Sequence, residues 1–293
     1  MYQGLGRVRP AGPFSSTNGL RMYAAGTAAI ALGLWLLPAQ RRYVPWWLLV
    51  AGTAGVFGCL AFGGSRGAVL NIAIVGLAAV FSGLFVKASA TTVRAIALPP
   101  LIAVLGIALW PVLFPEGHEA FMGRWDAAAA HEASTGGILG RAFGALFVFT
   151  RLLEPTPLLG YGIGLGGNAS LVLGLDLDIV GRGLGEVDWG RHIIDLGVLL
   201  GPAYIVFRIA LVAWLFMQAF GALRRNSDPL GMVILAFAGI ELLQGQITGQ
   251  GSVHGFAWVF AGLTLAAVST GGAPTGAAVP AAAPTARFPN LLR

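Results

Sequence analysis

The chain has 293 residues, of which 56% are hydrophobic and 10% charged, with a formal net charge of +6 and a mean hydropathy of +0.78. Soluble domains carry roughly a quarter charged residues, so this composition excludes an ordinary water-soluble fold and predicts an all-α polytopic membrane protein. The arginines are scattered between apolar runs without a basic stripe or interleaved aromatics, which argues against a nucleic-acid partner.

In chain order, residues 1–18 form a lead-in segment without the apolar core of a secretory signal peptide. Apolar runs predict membrane spans at 19–37, 44–63, 68–87 and 95–114. A polar stretch follows over 115–195, then further spans at 196–219, 230–249 and 253–270. Residues 271–293 are rich in Ala, Pro, Gly and Thr and read as a disordered cytoplasmic tail. Cys59, the single cysteine, lies inside an apolar run. It excludes an intrachain disulfide and any cysteine-based metal site, and reads as a small buried hydrophobe.

Basic residues set the orientation. Arg41-Arg42, Lys87 with Arg94, and Arg224-Arg225 fall in alternate short connections, so these connections are expected on the cytoplasmic side. The 115–195 loop is then extracytoplasmic. Seven spans place Arg7 and Arg9 outside with no preceding span. Either the count is off by one span, or the chain is the C-terminal portion of a longer protein whose first helices are absent; the second is the expectation.

The 115–195 stretch is a polar island. It holds ten of the twelve acids: Glu116, Glu119, Asp126, Glu132, Glu154, Asp176, Asp178, Glu186, Asp188 and Asp195. His118, His131 and His192 join them, with Arg124, Arg141, Arg151, Arg182 and Arg191. Such concentration points to chemistry at the bilayer surface. Within it, 140–153 is apolar but too short to span, and reads as an interfacial or re-entrant helix ended by Glu154-Pro155-Thr156-Pro157.

Arg66 follows two glycines and a serine at a span boundary. Its planar fork suits phosphate oxygens, and it equally suits a snorkelling anchor. Arg141 and Arg151 bracket the short apolar helix and could face a lipid phosphate or pair with Glu154 or Asp126. The glycines of 160–167 fit no nucleotide-binding spacing and read as a tight turn lining a cavity. Glu186, Asp188, Arg191 and His192 precede the fifth span, where a carboxylate near apolar walls can serve as a base. They also fit an ordinary charged helix start. Glu241, Gln244 and Gln246 within the sixth span, and His254 opening the seventh, mark either function or inter-helix hydrogen bonding. Ser65 and His254 are a poor protease pair, because Arg66 adjoins the supposed nucleophile.

Four stretches together resemble one family. Arg9-Pro10-Ala11-Gly12-Pro13-Phe14 with Asn18-Gly19-Leu20 resembles its "R-x-x-G-P/T-F-x-N-x-N-x-L" start of a span. Ser65-Arg66-Gly67 resembles its "S-R-G" after a span. Arg141 with Pro157-Leu158-Leu159-Gly160-Tyr161-Gly162-Ile163-Gly164 resembles "R…P-L-x-G-x-G-x-G". Glu186 with Asp195-Leu196-Gly197 resembles "H-N-x-x-x-x-x-x-x-E-x-G-x-x-G". The family is the bacterial O-antigen ligase and O-antigen polymerase superfamily of polytopic membrane glycosyltransferases.

The resemblance covers roughly residues 7–220. It implies a C-type glycosyltransferase architecture in the bacterial inner membrane, acting without metal or cofactor. It implies transfer of glycan from an undecaprenyl-diphosphate-linked donor to a sugar hydroxyl of a glycan or lipid acceptor. Arg66 and Arg141 match the diphosphate-binding arginines, and Arg151 and Arg191 are further candidates for the same role. Glu186 stands where the family has its histidine base, with Asp188 and His192 as neighbouring candidates. His192 comes six residues later, about 600° around a helix, and does not replace that histidine directly. The alternative is a transporter or flippase-like protein, which should concentrate its polar residues at the bilayer midplane.

Overall fold

The computed structural model describes residues 11–86, 106, 108–133, 147–165 and 188–270, except 15, 43, 148, 151 and 155. The described residues form helices and turns without strands. The main helices are α1 (Thr17–Leu36), α2 (Trp46–Gly63), α3 (Arg66–Gly83), α4 (Pro115–Ala133), α5 (Trp189–Asn226), α6 (Leu230–Gln244) and α7 (Gly251–Thr270), with a short 3-10 turn at Ala39–Arg41. Five of them, α1, α2, α3, α5 and α7, are long and apolar enough to cross a membrane. This is a helical membrane protein.

Local chemistry sets most boundaries. Pro38 follows the end of α1, and Pro45 stands at the start of α2; proline stops one helix and suits the opening of the next. Gly64 takes a left-handed φ of 54° to end α2. The Ser65 hydroxyl then accepts from the Ala68 N–H at 3.3 Å and caps α3, as serine does at helix starts. Asp228 accepts from Leu230 N at 3.0 Å at the start of α6.

α6 is the central rod. Met22, Ala25 and Ala29 of α1, Val75 and Ala79 of α3, and Phe260 of α7 pack on its Val233, Ile234, Phe237 and Ala238. Leu215, Ala219 and Leu223 of α5 pack with its Met232, Leu235 and Leu242. The small residues let neighbouring helices come close, the usual source of affinity between helices in lipid. The outward surface is apolar: Trp46, Trp47, Leu70, Leu77, Val206, Phe207, Trp214 and Met217 are all exposed. In water such a face would be costly; in hydrocarbon it is the expected surface.

The helices alternate in direction, so the bundle has two poles. One gathers Arg41, Arg42, Arg224 and Arg225. The other gathers the start of α1, the Gly64-Ser65 turn, the start of α5 and the 245–250 connection. We call the second the Arg66 pole.

Two predicted spans differ from the structure. The sixth was expected over 230–249, but α6 has 15 residues and stops at Gln244. At 1.5 Å per residue it reaches about 22 Å, less than the roughly 30 Å hydrocarbon layer. The backbone turns extended at Gly245 (φ −63°, ψ 151°), and Arg208 of α5 caps the carbonyls left at this end. The fifth was expected over 196–219, but α5 runs from Trp189 to Asn226, with a break at Gly197 (φ 81°, ψ −176°). The fourth, 95–114, lies mostly outside the described residues, where only 106 and 108–113 are helical. So does the 140–153 helix, where 147, 149, 150 and 152 are helical. The 1–10 part of the lead-in segment and the 271–293 tail also lie outside.

Candidate functional site at the Arg66 pole

A broken helix organises this pole. At Gly197 the backbone of α5 leaves helical geometry, and Pro202 follows one turn on. A break frees N–H and C=O groups on both sides, each costly when buried. The Pro157–Gly162 loop supplies partners for them. Tyr161 N donates to Ile194 O at 2.8 Å and Gly162 N to Asp195 O at 3.3 Å; Val198 N donates to Pro157 O at 3.3 Å and Leu199 N to Leu158 O at 3.2 Å. The Pro-Leu-Leu-Gly-Tyr-Gly and Asp-Leu-Gly stretches, more than thirty positions apart in sequence, are therefore one backbone unit.

The break folds 189–196 back over the end of α6. Trp189 Nε1 donates to Leu243 O at 2.7 Å. Asp188 Oδ2 accepts from Thr248 N at 2.7 Å. His192 then meets Arg208, which lies beyond the break: Arg208 Nη1 is 2.6 Å from His192 Nε2. A guanidinium only donates, so Nε2 carries the lone pair and the imidazole is neutral with its proton on Nδ1. The Tyr204 ring packs edge-on to the imidazole at 4.7 Å.

Arg208, 1% exposed, also donates to Leu242 O at 2.5 Å and Gly245 O at 3.1 Å, and approaches Glu241 O at 3.4 Å. It caps the carbonyl end of α6, where positive charge is favoured. Its charge is balanced by Asp188 at 4.0 Å. Burial pushes the Asp188 carboxyl above the usual carboxylate range; Thr248, Arg208 and Arg191 pull it back down.

Arg191 lies 3.8 Å from Asp188 Oδ1. Its guanidinium occupies the space a Cβ at position 249 would need, so a larger residue there would displace it. Arg191 Nε and Nη1 and Asp188 Oδ1 are buried without a hydrogen-bond partner. On the other side of α6, Glu241 accepts from Asn71 Nδ2 at 2.8 Å and pairs with Arg21 at 3.6 Å. Glu241 thereby ties α1 and α3 to α6. Asn18 joins α1 to the 245–250 connection through Gln250 at 2.9 Å.

Arg66 opens α3, with its guanidinium 5.3 Å from the centre of the Trp125 ring of α4. Trp125 continues a stack through Phe121 to Trp110, with centroid spacings of 5.7 and 4.9 Å. Ser65 is occupied as the cap of α3, and His254 Nδ1 faces the Ile247 carbonyl at 3.2 Å.

Of the sequence-derived candidates, Asp188, Arg191 and His192 share one buried cluster, and Arg66 sits at the same pole. Glu186, Arg141 and Arg151 lie outside the described residues. Sequence reasoning passed over Arg208, Arg21 and Asn71. Arg208 carried a signal, being a charge in the middle of an apolar run, where ionisable residues are rare and usually functional. No protein-family model, no curated protein and no solved structure matches the chain.

Proposed function

We propose that the protein is a glycosyltransferase of the O-antigen ligase and polymerase type in the bacterial inner membrane. It moves glycan from an undecaprenyl-diphosphate-linked donor to a sugar hydroxyl during surface polysaccharide assembly. The observation that supports this most is convergence: Asn18, Ser65-Arg66-Gly67, the Pro157–Gly162 loop and Asp195-Leu196-Gly197, the described parts of all four family-like stretches, lie at one pole of the bundle.

In this reading the acceptor oxygen attacks the anomeric carbon and the bond to the diphosphate oxygen breaks. The leaving undecaprenyl diphosphate gains negative charge, which preorganised arginines stabilise. Arg66 and Arg141 take that role, supported by Arg151 and Arg191. The acceptor proton passes to Glu186. Asp188 and His192 act through others: Asp188 holds Arg191 and Arg208, and His192 spends its free lone pair on Arg208.

The test is transfer by purified protein from a lipid-linked oligosaccharide to a sugar acceptor. Arg66→Ala should lower the rate on the order of 100-fold, as removal of a charge-stabilising donor does. Arg41→Ala, at the opposite pole, should not. Absence of product from the parent protein would reject the reading.

One observation favours a second reading, a transporter. Two largely buried ion pairs lie across the bundle, Arg21 with the Glu241 carboxylate at 3.6 Å and Arg208 with Asp188 at 4.0 Å, and Arg208 also approaches the Glu241 main-chain carbonyl at 3.4 Å; buried ionisable groups of this kind mark pathways in membrane proteins. Movement of a fluorescent lipid-linked glycan across vesicle bilayers, without transfer, would select it.

A further inference from the structure

We infer that the 157–165 loop inserts into the hydrocarbon layer and that its partner is the acyl chains of the bilayer. Leu158 and Leu159 are each 65% exposed and Ile163 is 89% exposed. The loop has the Pro and Gly of an ordinary turn, but the sequence carries no Asp, Glu, Lys, Arg or His between Glu154 and Asp176. Three large aliphatic side chains at this exposure form the kind of patch that marks a membrane contact.

Two further observations identify lipid as the occupant. First, the patch is continuous with the outward face of α5. Leu199 N bonds to Leu158 O, Leu199 and Leu200 are exposed beside the loop, and Val206, Phe207 and Ile209 extend the same apolar belt. Second, irregular backbone survives at membrane depth only when protein satisfies its polar groups. Four groups of the loop meet that condition at the helix break, where Pro157 O, Leu158 O, Tyr161 N and Gly162 N are bonded to α5. The inserted loop places the Gly197 break inside the apolar layer and leaves 189–196 at its surface. The inference stands whether or not the protein is a transferase.

The experiment is site-directed spin labelling of the full chain in phosphatidylcholine vesicles, in a Cys59→Ser background. Labels are placed at Ile163→Cys and, separately, Leu159→Cys. Val206→Cys serves as the lipid-facing reference and Glu154→Cys as the polar one. Collision with a polar nickel complex, which hydrocarbon excludes, should fall on the order of tenfold at both loop positions relative to Glu154→Cys. Oxygen collision should match Val206→Cys. Nickel access at either loop position equal to that at Glu154→Cys overturns the insertion.

Discussion

Gly160 and Gly197 meet backbone to backbone. A Cβ on Gly160 would lie 2.5 Å from the Gly197 nitrogen and 2.6 Å from the Asp195 oxygen. Both glycines also have positive φ, 74° and 81°, a region L side chains rarely adopt. The loop and the break therefore depend on each other.

Gly197→Ala and Gly160→Ala should each destabilise the protein by about 2 kcal/mol or more, combining left-handed strain with a backbone clash. Gly58→Ala is the contrast: it is helical, and a Cβ there meets nothing within 4 Å. It should leave stability unchanged or slightly raised. Thermal melts of the purified variants in one detergent measure all three.

Arg208→Met should cost about 3 kcal/mol, because the carbonyls of Leu242 and Gly245 and the His192 lone pair lose a buried donor. Arg208→Lys should restore only part of this, since a single ammonium cannot reach the spread of acceptors that the fork spans. Equal stability for the Lys variant and the parent would mean that α6 is capped by something else.

Glu241→Gln keeps the Asn71 contact but leaves Arg21 without its charge partner. The single change should destabilise by about 2 kcal/mol, while Glu241→Gln with Arg21→Met should recover most of that loss. A double-mutant cycle on melting midpoints gives the coupling. Purely additive losses would show that the 3.6 Å approach carries no energy.

Much of the fold was legible locally. Pro38, Pro45, Gly64 and Ser65 punctuate the first three helices within a few residues of where they begin and end. The end of α6 was not legible, because nothing in Glu241-Leu242-Leu243-Gln244 stops a helix and the Arg208 that caps its carbonyls comes from another helix. The site divides in the same way. Asp188, Arg191 and His192 were visible as a charged helix start. Their junction with Arg208 depends on a fold-back at Gly197 that residue spacing cannot convey. Glu241 was visible as an intramembrane acid, but Asn71 lies 170 positions away.

The paired arginines at the opposite pole predict that the Arg66 pole faces outside. Met122→Cys on α4, 42% exposed, should react with a membrane-impermeant maleimide in intact cells in a Cys59→Ser background. Ser227→Cys, between α5 and α6, should react only after lysis. The reverse pattern would invert the topology.

The proposed transferase role requires the Arg66 pole to bind a lipid-linked diphosphate. Native mass spectrometry of the purified protein with undecaprenyl diphosphate tests it most directly, with uncharged undecaprenol as the control lipid. The diphosphate lipid should be retained over undecaprenol, with retention on the order of tenfold weaker in Arg66→Gln for the loss of one charge-assisted contact and unchanged in Arg225→Gln. Equal retention of the two lipids, or a diphosphate complex indifferent to Arg66, would contradict it.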